Sequence, residues 1–129
     1  MKKCYNWLAS LTALLLLGML APSLQAQITW NAEPSFSTAR GQHATASDGS
    51  TIAIFGGYAG GGAFNSVELF DIATGTWSTG TNMPTSTRGH SAAYCPSEDL
   101  IYVMGGLSGS NIFQSYDLNT NTWAPIANP

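Results

Sequence analysis

The sequence predicts an all-β fold built from repeated four-stranded antiparallel meanders. Two observations predict it. Short runs recur in a fixed order at spacings of 46 to 49 residues, and self-similarity of that period marks an array of supersecondary units. No stretch beyond Ala26 carries an apolar period of 3.6, and helix formers are scarce there.

Four features make up the recurrence. Thr-Trp stands at 29–30, 76–77 and 122–123. Arg-Gly followed by His occurs as Arg40-Gly41…His43 and as Arg88-Gly89-His90, the first copy carrying an extra residue, Gln42. An apolar run ends in a diglycine at Ile52–Gly57 and again at Ile101–Gly106. Phe70-Asp71-Ile72 and Tyr116-Asp117-Leu118 each place their Asp six residues before a Trp.

Within each repeat the elements follow in order. His43–Ala46 and His90–Tyr94 read as brief strands, closed by the turn residues Ser47-Asp48-Gly49-Ser50 and Pro96-Ser97-Glu98-Asp99. The runs into Gly-Gly show no polar alternation, which predicts strands buried on both faces. A loop after the diglycine comes next, then Ser66–Ile72 or Gln114–Leu118 in period-2 alternation. A turn (Ala73-Thr74-Gly75 or Asn119-Thr120-Asn121) leads into a last strand that opens with Trp77 or Trp123.

Taken together, Arg…His, an apolar strand ending in Gly-Gly, an aromatic-Asp pair and a Trp six residues on resemble the kelch repeat. The second copy adds Met83-Pro84 ahead of Arg88; the first has Glu33-Pro34 in that place. The resemblance implies kelch-type β-propeller blades over residues 27–129, with repeat 1 at about 40–83 and repeat 2 at about 88–129. It also implies framework roles for Arg40, His43, Arg88 and His90, whose polar atoms would tie strands together. Gly56, Gly57, Gly105 and Gly106 let crowded backbone turn without a Cβ. Trp77 and Trp123 are expected to fill wedges between blades, and Asp71 and Asp117 to cap turns. Closed propellers hold roughly four to eight blades, so the expectation is two blades plus an N-terminal outer strand at Trp30, in an incomplete propeller. A piece of a longer exported protein accounts for that; a two-blade unit that completes a ring with copies of itself is the alternative.

Residues 1–26 read as a secretory signal. Lys2 and Lys3 precede an apolar run of roughly 15 residues, Trp7 to Ala21, and Ala26 offers a small residue at the cleavage point. That run is short of the roughly 20 residues a membrane-spanning helix needs. Cleavage after Ala26 removes both lysines and Cys4, leaving Arg40 and Arg88 against seven carboxylates, a net charge of −5. Such a chain offers no basic surface for nucleic acid or anionic lipid. Cys95 stays as the one thiol, expected as a small buried hydrophobe. The protein is expected to be secreted or periplasmic, with no membrane span after cleavage.

No motif in the chain assigns a catalytic residue, a cofactor or a metal ligand. The run Gly56-Gly57-Tyr58-Ala59-Gly60-Gly61-Gly62 lacks the Gly-Lys-Ser/Thr ending and the helix of a phosphate loop. His43 and His90 belong to different blades, a poor start for a metal site. Binding is the function expected, with a protein or glycan ligand held by the loops after each diglycine, Tyr58–Asn65 and Leu107–Phe113. Those segments offer Tyr58, Phe64 and Asn65 in the first repeat and Ser108, Asn111 and Phe113 in the second. Self-association is expected if the chain is complete. The alternative is a piece of a carbohydrate-active propeller enzyme, galactose-oxidase-like or sialic-acid-epimerase-like, whose reacting groups come from other blades.

Overall fold

The computed structural model of the chain describes residues 31–107 and 112–126. Its regular elements are eight strands in two antiparallel sheets. The first sheet holds β1 (Ala44–Ser47), β2 (Thr51–Ala59), β3 (Gly62–Asp71) and β4 (Thr76–Gly80), paired in chain order. The second repeats this with β5 (His90–Cys95), β6 (Leu100–Gly105), β7 (Ile112–Asp117) and β8 (Thr122–Pro125). Each sheet is therefore one kelch-type meander. Trp30 and the outer strand expected there lie outside the described residues.

Turn chemistry closes these meanders. Asp48 Oδ1 accepts the backbone N–H groups of Ser50 at 2.8 Å and Thr51 at 2.7 Å, which bends the chain from β1 into β2. Asp71 takes the Thr74 N–H at 2.8 Å, and Asp117 takes those of Asn119 and Thr120 at 2.8 and 3.2 Å. Gly75 and Asn121 then hold matching left-handed conformations, with φ of +65° and +56°. Both aspartates cap their turns as the sequence predicts.

One expectation needs correction. The segment Tyr58–Asn65 reads as a loop, yet β2 runs on through Ala59 and β3 already starts at Gly62. The diglycine introduces a register shift between Phe55 and Gly57, after which Gly57 pairs with Phe64 and Tyr58 with Ala63. This bulge re-aims the strand and lets the hairpin extend to a tight turn at Gly60-Gly61. The positions just past a diglycine read as punctuation in one dimension; here they shape a longer ladder.

The core lies between the two sheets. Cross-strand partners share a face, so Ala53, Phe55 and Val67 point from the first sheet toward Ile101, Val103, Ile112 and Tyr116 of the second. Phe55 sits edge-on to Tyr116 at 5.5 Å and to Trp123 at 5.6 Å, so Trp123 occupies the inter-sheet wedge. Met83, 2% exposed, enters the same core from the connecting segment. That segment is sewn to the first sheet by backbone bonds from Met83 N–H to the Asn65 carbonyl (2.8 Å), Thr87 N–H to Phe64 (3.0 Å) and Gly57 N–H to Thr87 (2.9 Å). Trp123 Nε1–H donates to the Thr81 carbonyl at 2.8 Å, and Trp77 Nε1–H to Pro34 at 2.6 Å.

Truncating the central ring measures how far the sheets depend on each other. Phe55→Ala is expected to cost about 3–5 kcal/mol, the range for a large buried aromatic. Ile72→Ala, at a side chain 47% exposed, is expected to change stability by about 0.5 kcal/mol or less. Denaturant unfolding of the two variants checks both values.

Candidate functional site

The two diglycine ends meet the first turns of β1 and β5, and the residues of interest gather there. Gly57 adopts φ +106°, and a Cβ on it would lie 2.8 Å from the Gly41 carbonyl oxygen and 3.0 Å from His43 Cβ. Only glycine fits that approach. It allows a bridge in which Gly41 N–H donates to the Tyr58 carbonyl at 3.0 Å and Tyr58 N–H to Gly41 at 2.8 Å. In the second repeat Leu107 N–H donates to the Arg88 carbonyl at 2.9 Å.

That correspondence pairs Tyr58 with Leu107 and Gly41 with Arg88. Gln42 and Gly89 agree, both being left-handed with φ of +54° and +63°. The structural counterpart of Arg40 is therefore Thr87, one residue away from the arginine that the sequence aligns with it. The extra residue Gln42 causes the displacement, and the two arginines do different things.

Arg40 is framework, as expected. Its side chain is 1% exposed and forms an ion pair with Glu68, 4% exposed. Nη1 donates to the Gly56 carbonyl at 3.0 Å and to Ser66 Oγ at 2.7 Å, while the second Glu68 oxygen accepts the Ser37 N–H at 2.8 Å. The guanidinium also lies 5.0 Å from the Phe64 ring. In the second repeat Gln114 faces Val103 as Glu68 faces Ile54, so glutamine replaces the carboxylate. Thr87 Oγ1 and Gln114 Oε1 are buried with no hydrogen-bond partner.

Arg88, expected in the same framework role, stands elsewhere. It forms no ion pair among the described residues, and its guanidinium carbon lies 4.4 Å over the Tyr58 ring. Tyr58 is 37% exposed and Leu107 68%. A Cβ on Gly89 would come within 3.0 Å of Leu107 Cδ1, which places that leucine against the same turn. The exposed Tyr58 and Leu107 and the half-buried Arg88 thus form one rim bridging the two sheets.

The other sequence-predicted positions disperse. Asn65 donates from Nδ2 to the Met83 carbonyl at 3.2 Å and so clamps the connecting segment. Phe64 is half-buried under Arg40. Phe113 stacks with Tyr102 at 6.2 Å on the opposite face of the second sheet. Ser108 and Asn111 lie outside the described residues. In the sequence Leu107 is only the boundary of a candidate loop, and Glu68, Thr87 and Gln114 belong to no motif. A carboxylate at the centre of an apolar alternating strand was the one sign that could have marked Glu68.

His90 works by packing. Its Cε1 lies 3.0 Å from where a Gly56 Cβ would stand, and neither ring nitrogen has a hydrogen-bond partner. Burial pushes its pKa below the ordinary 6.5, outweighing an upward pull from the Phe55 backbone, and the nearby His43 adds a smaller push down. Among the described residues no three His, Cys, Asp or Glu side chains gather as a metal would require, and no helix is long and apolar enough to cross a membrane.

Comparison with known proteins matches the Kelch motif at residues 39–84 and 88–129. The chain belongs to the kelch-repeat family. The mouse and human multiple epidermal growth factor-like domains protein 8 are each 40% identical to it over 70 residues, which is 51% of this chain and 2% of theirs. An F-box/kelch-repeat protein of Arabidopsis thaliana is 35% identical over 71 residues, 53% of this chain and 18% of its own. The chain thus spans a small part of each curated relative it matches. Kelch repeats generally mediate protein interactions.

Two predictions separate these roles. Arg40→Ala leaves Glu68 buried without its counter-charge and is expected to cost about 3–5 kcal/mol, while Arg88→Ala changes stability by about 1 kcal/mol at most; chemical denaturation of each variant reads the difference. The unfolded chain protonates its His90 at higher pH than the folded protein does, so stability rises with pH through that window. The melting temperature is expected to fall as pH drops below about 6.5, and His90→Phe to flatten that slope.

Proposed function

We propose that the chain is an exported interaction module that holds a protein partner at the rim of Tyr58, Arg88 and Leu107. The observation that carries this reading is the Arg88 guanidinium lying over the half-exposed Tyr58 ring with no carboxylate partner among the described residues. Tyrosine and arginine are enriched among residues that dominate protein interfaces. A ring that already holds the guanidinium lowers the ordering cost on binding, and Leu107 supplies apolar area beside it. The exposed leucine favours a protein surface over a glycan. Residues 1–26 serve in this reading as the export signal, giving a mature chain that starts at Gln27.

The test uses the chain recovered from the secreted or periplasmic fraction, its first residue identified by N-terminal sequencing. Proteins co-purifying with it are identified, and the affinity of the principal one is measured for wild type, Tyr58→Ala and Arg88→Ala. Each substitution is expected to weaken binding about tenfold or more, the loss typical of a central interface residue. A partner bound equally well by the double variant overturns the assignment of the rim.

A further inference from the structure

We propose that the outer face of the second sheet docks head-to-tail onto the first sheet of a second copy of this chain. The template for that contact is already inside the molecule, where the first sheet presents Phe55, Val67 and Ala53 to the second. By register, Met104, Phe113 and Tyr102 are their counterparts one repeat on, on the face that points away from the first sheet.

This second face is shaped for a neighbour it does not have within the described residues. Phe55 is 0% exposed, whereas Met104 is 40% exposed. Gly56 is locked by what surrounds it, since a Cβ there would lie 2.8 Å from the Thr87 carbonyl and 3.0 Å from that of Phe64. Gly105 keeps the same left-handed turn, φ +82°, yet a Cβ on it would meet nothing within 4 Å. The backbone thus carries the form of the inter-sheet contact without the contact. Tyr102 and Phe113, stacked at 29°, form an apolar platform beside it.

The complementary surface is at the other end of the unit. Ile101, Tyr116 and Trp123 cover Phe55 within the chain, and their counterparts Ile52, Phe70 and Trp77 lie on the far face of the first sheet. The aromatic pairs match in geometry: Tyr116 and Trp123 are tilted 41° at 4.7 Å, Phe70 and Trp77 47° at 5.0 Å. Phe36 stands beside Trp77 at 5.9 Å, in the place Met83 takes in the internal core, but it is only half-buried where Met83 is 2% exposed. In the assembly Met104 meets the partly exposed Trp77 of the second copy and the edge of Phe70, which is 8% exposed in the single chain, a sulfur–aromatic contact. Gly106 N–H reaches the Arg40 carbonyl of the second copy, as Gly57 N–H reaches Thr87. On the far face of the first sheet the one charged side chain in register with Ile54 and Phe70 is Glu68, which is buried and neutralised by Arg40; Tyr102, Met104 and Phe113 carry no charge.

Such a contact uses two different surfaces, so it closes into a ring or runs on as a filament. Rings of roughly four to eight blades correspond to about two to four copies.

The test is the solution mass of the full chain by light scattering after size exclusion, with two variants. Met104→Glu spoils one surface and Phe36→Glu the other. Wild type is expected at about two to four times the monomer mass, and each variant as a monomer. An equimolar mixture of the variants retains one intact junction, between the unaltered surface of each, and is expected to yield a 1:1 dimer. Far-UV circular dichroism confirms the fold of each variant, with Ala93→Arg replacing Met104→Glu if that chain unfolds. A monomeric wild type overturns the proposal, as does an assembly whose mass neither variant changes or a variant mixture that stays monomeric.

Discussion

A small sheet with apolar side chains on both faces cannot satisfy itself, and the architecture follows from that constraint. The two sheets cover one another through a single aromatic wedge in which Phe55 meets Tyr116 and Trp123 edge-on. The connecting segment shares the task, with Met83 filling the core while its backbone bonds to Asn65 and Phe64 fix the spacing. Hydrophobic cover and hydrogen bonding are thus supplied side by side, Met83 taking part in both, and the meanders have little reason to hold their relative position without them.

A single inserted residue divides the labour of the two arginines. With Gln42 present, Arg40 lies one place earlier relative to its histidine and turns inward to Glu68; without such a residue, Arg88 turns outward onto Tyr58. The buried pair is a demanding device, since both charges lose water and each depends on the other. The second repeat dispenses with it and accepts two unpartnered buried oxygens, on Thr87 and Gln114. What it gains is a cation that lies over Tyr58 without an ion-pair partner among the described residues.

Much of the fold was legible in the sequence because recurrence carries it. The eight strands, the aspartate-capped turns and the wedge tryptophan all follow from features visible twice in the chain. The extended hairpin at Tyr58–Asn65 was not, because glycine signals a turn and a bulge alike, and only the pairing of Gly57 with Phe64 separates them. The rim was legible in part. Tyr58 stood out as an aromatic among small residues, but aligning Arg88 with Arg40 assigned it inward, and the alignment conceals a one-residue offset. Glu68 and Gln114 escaped notice because their role depends on a cross-strand neighbourhood that no local pattern encodes.

The tip of the first hairpin has a different kind of significance. Side chains placed on Gly60 or Gly61 would meet nothing within 4 Å, so packing does not depend on what stands at the tip. Ordered strands on both sides hold the two ends of that turn close together. Added length at such a position leaves the ladder below intact and costs little beyond loop closure. The hairpin is therefore an open port in the scaffold, where a lineage can acquire new chemistry without renegotiating the rest of its architecture.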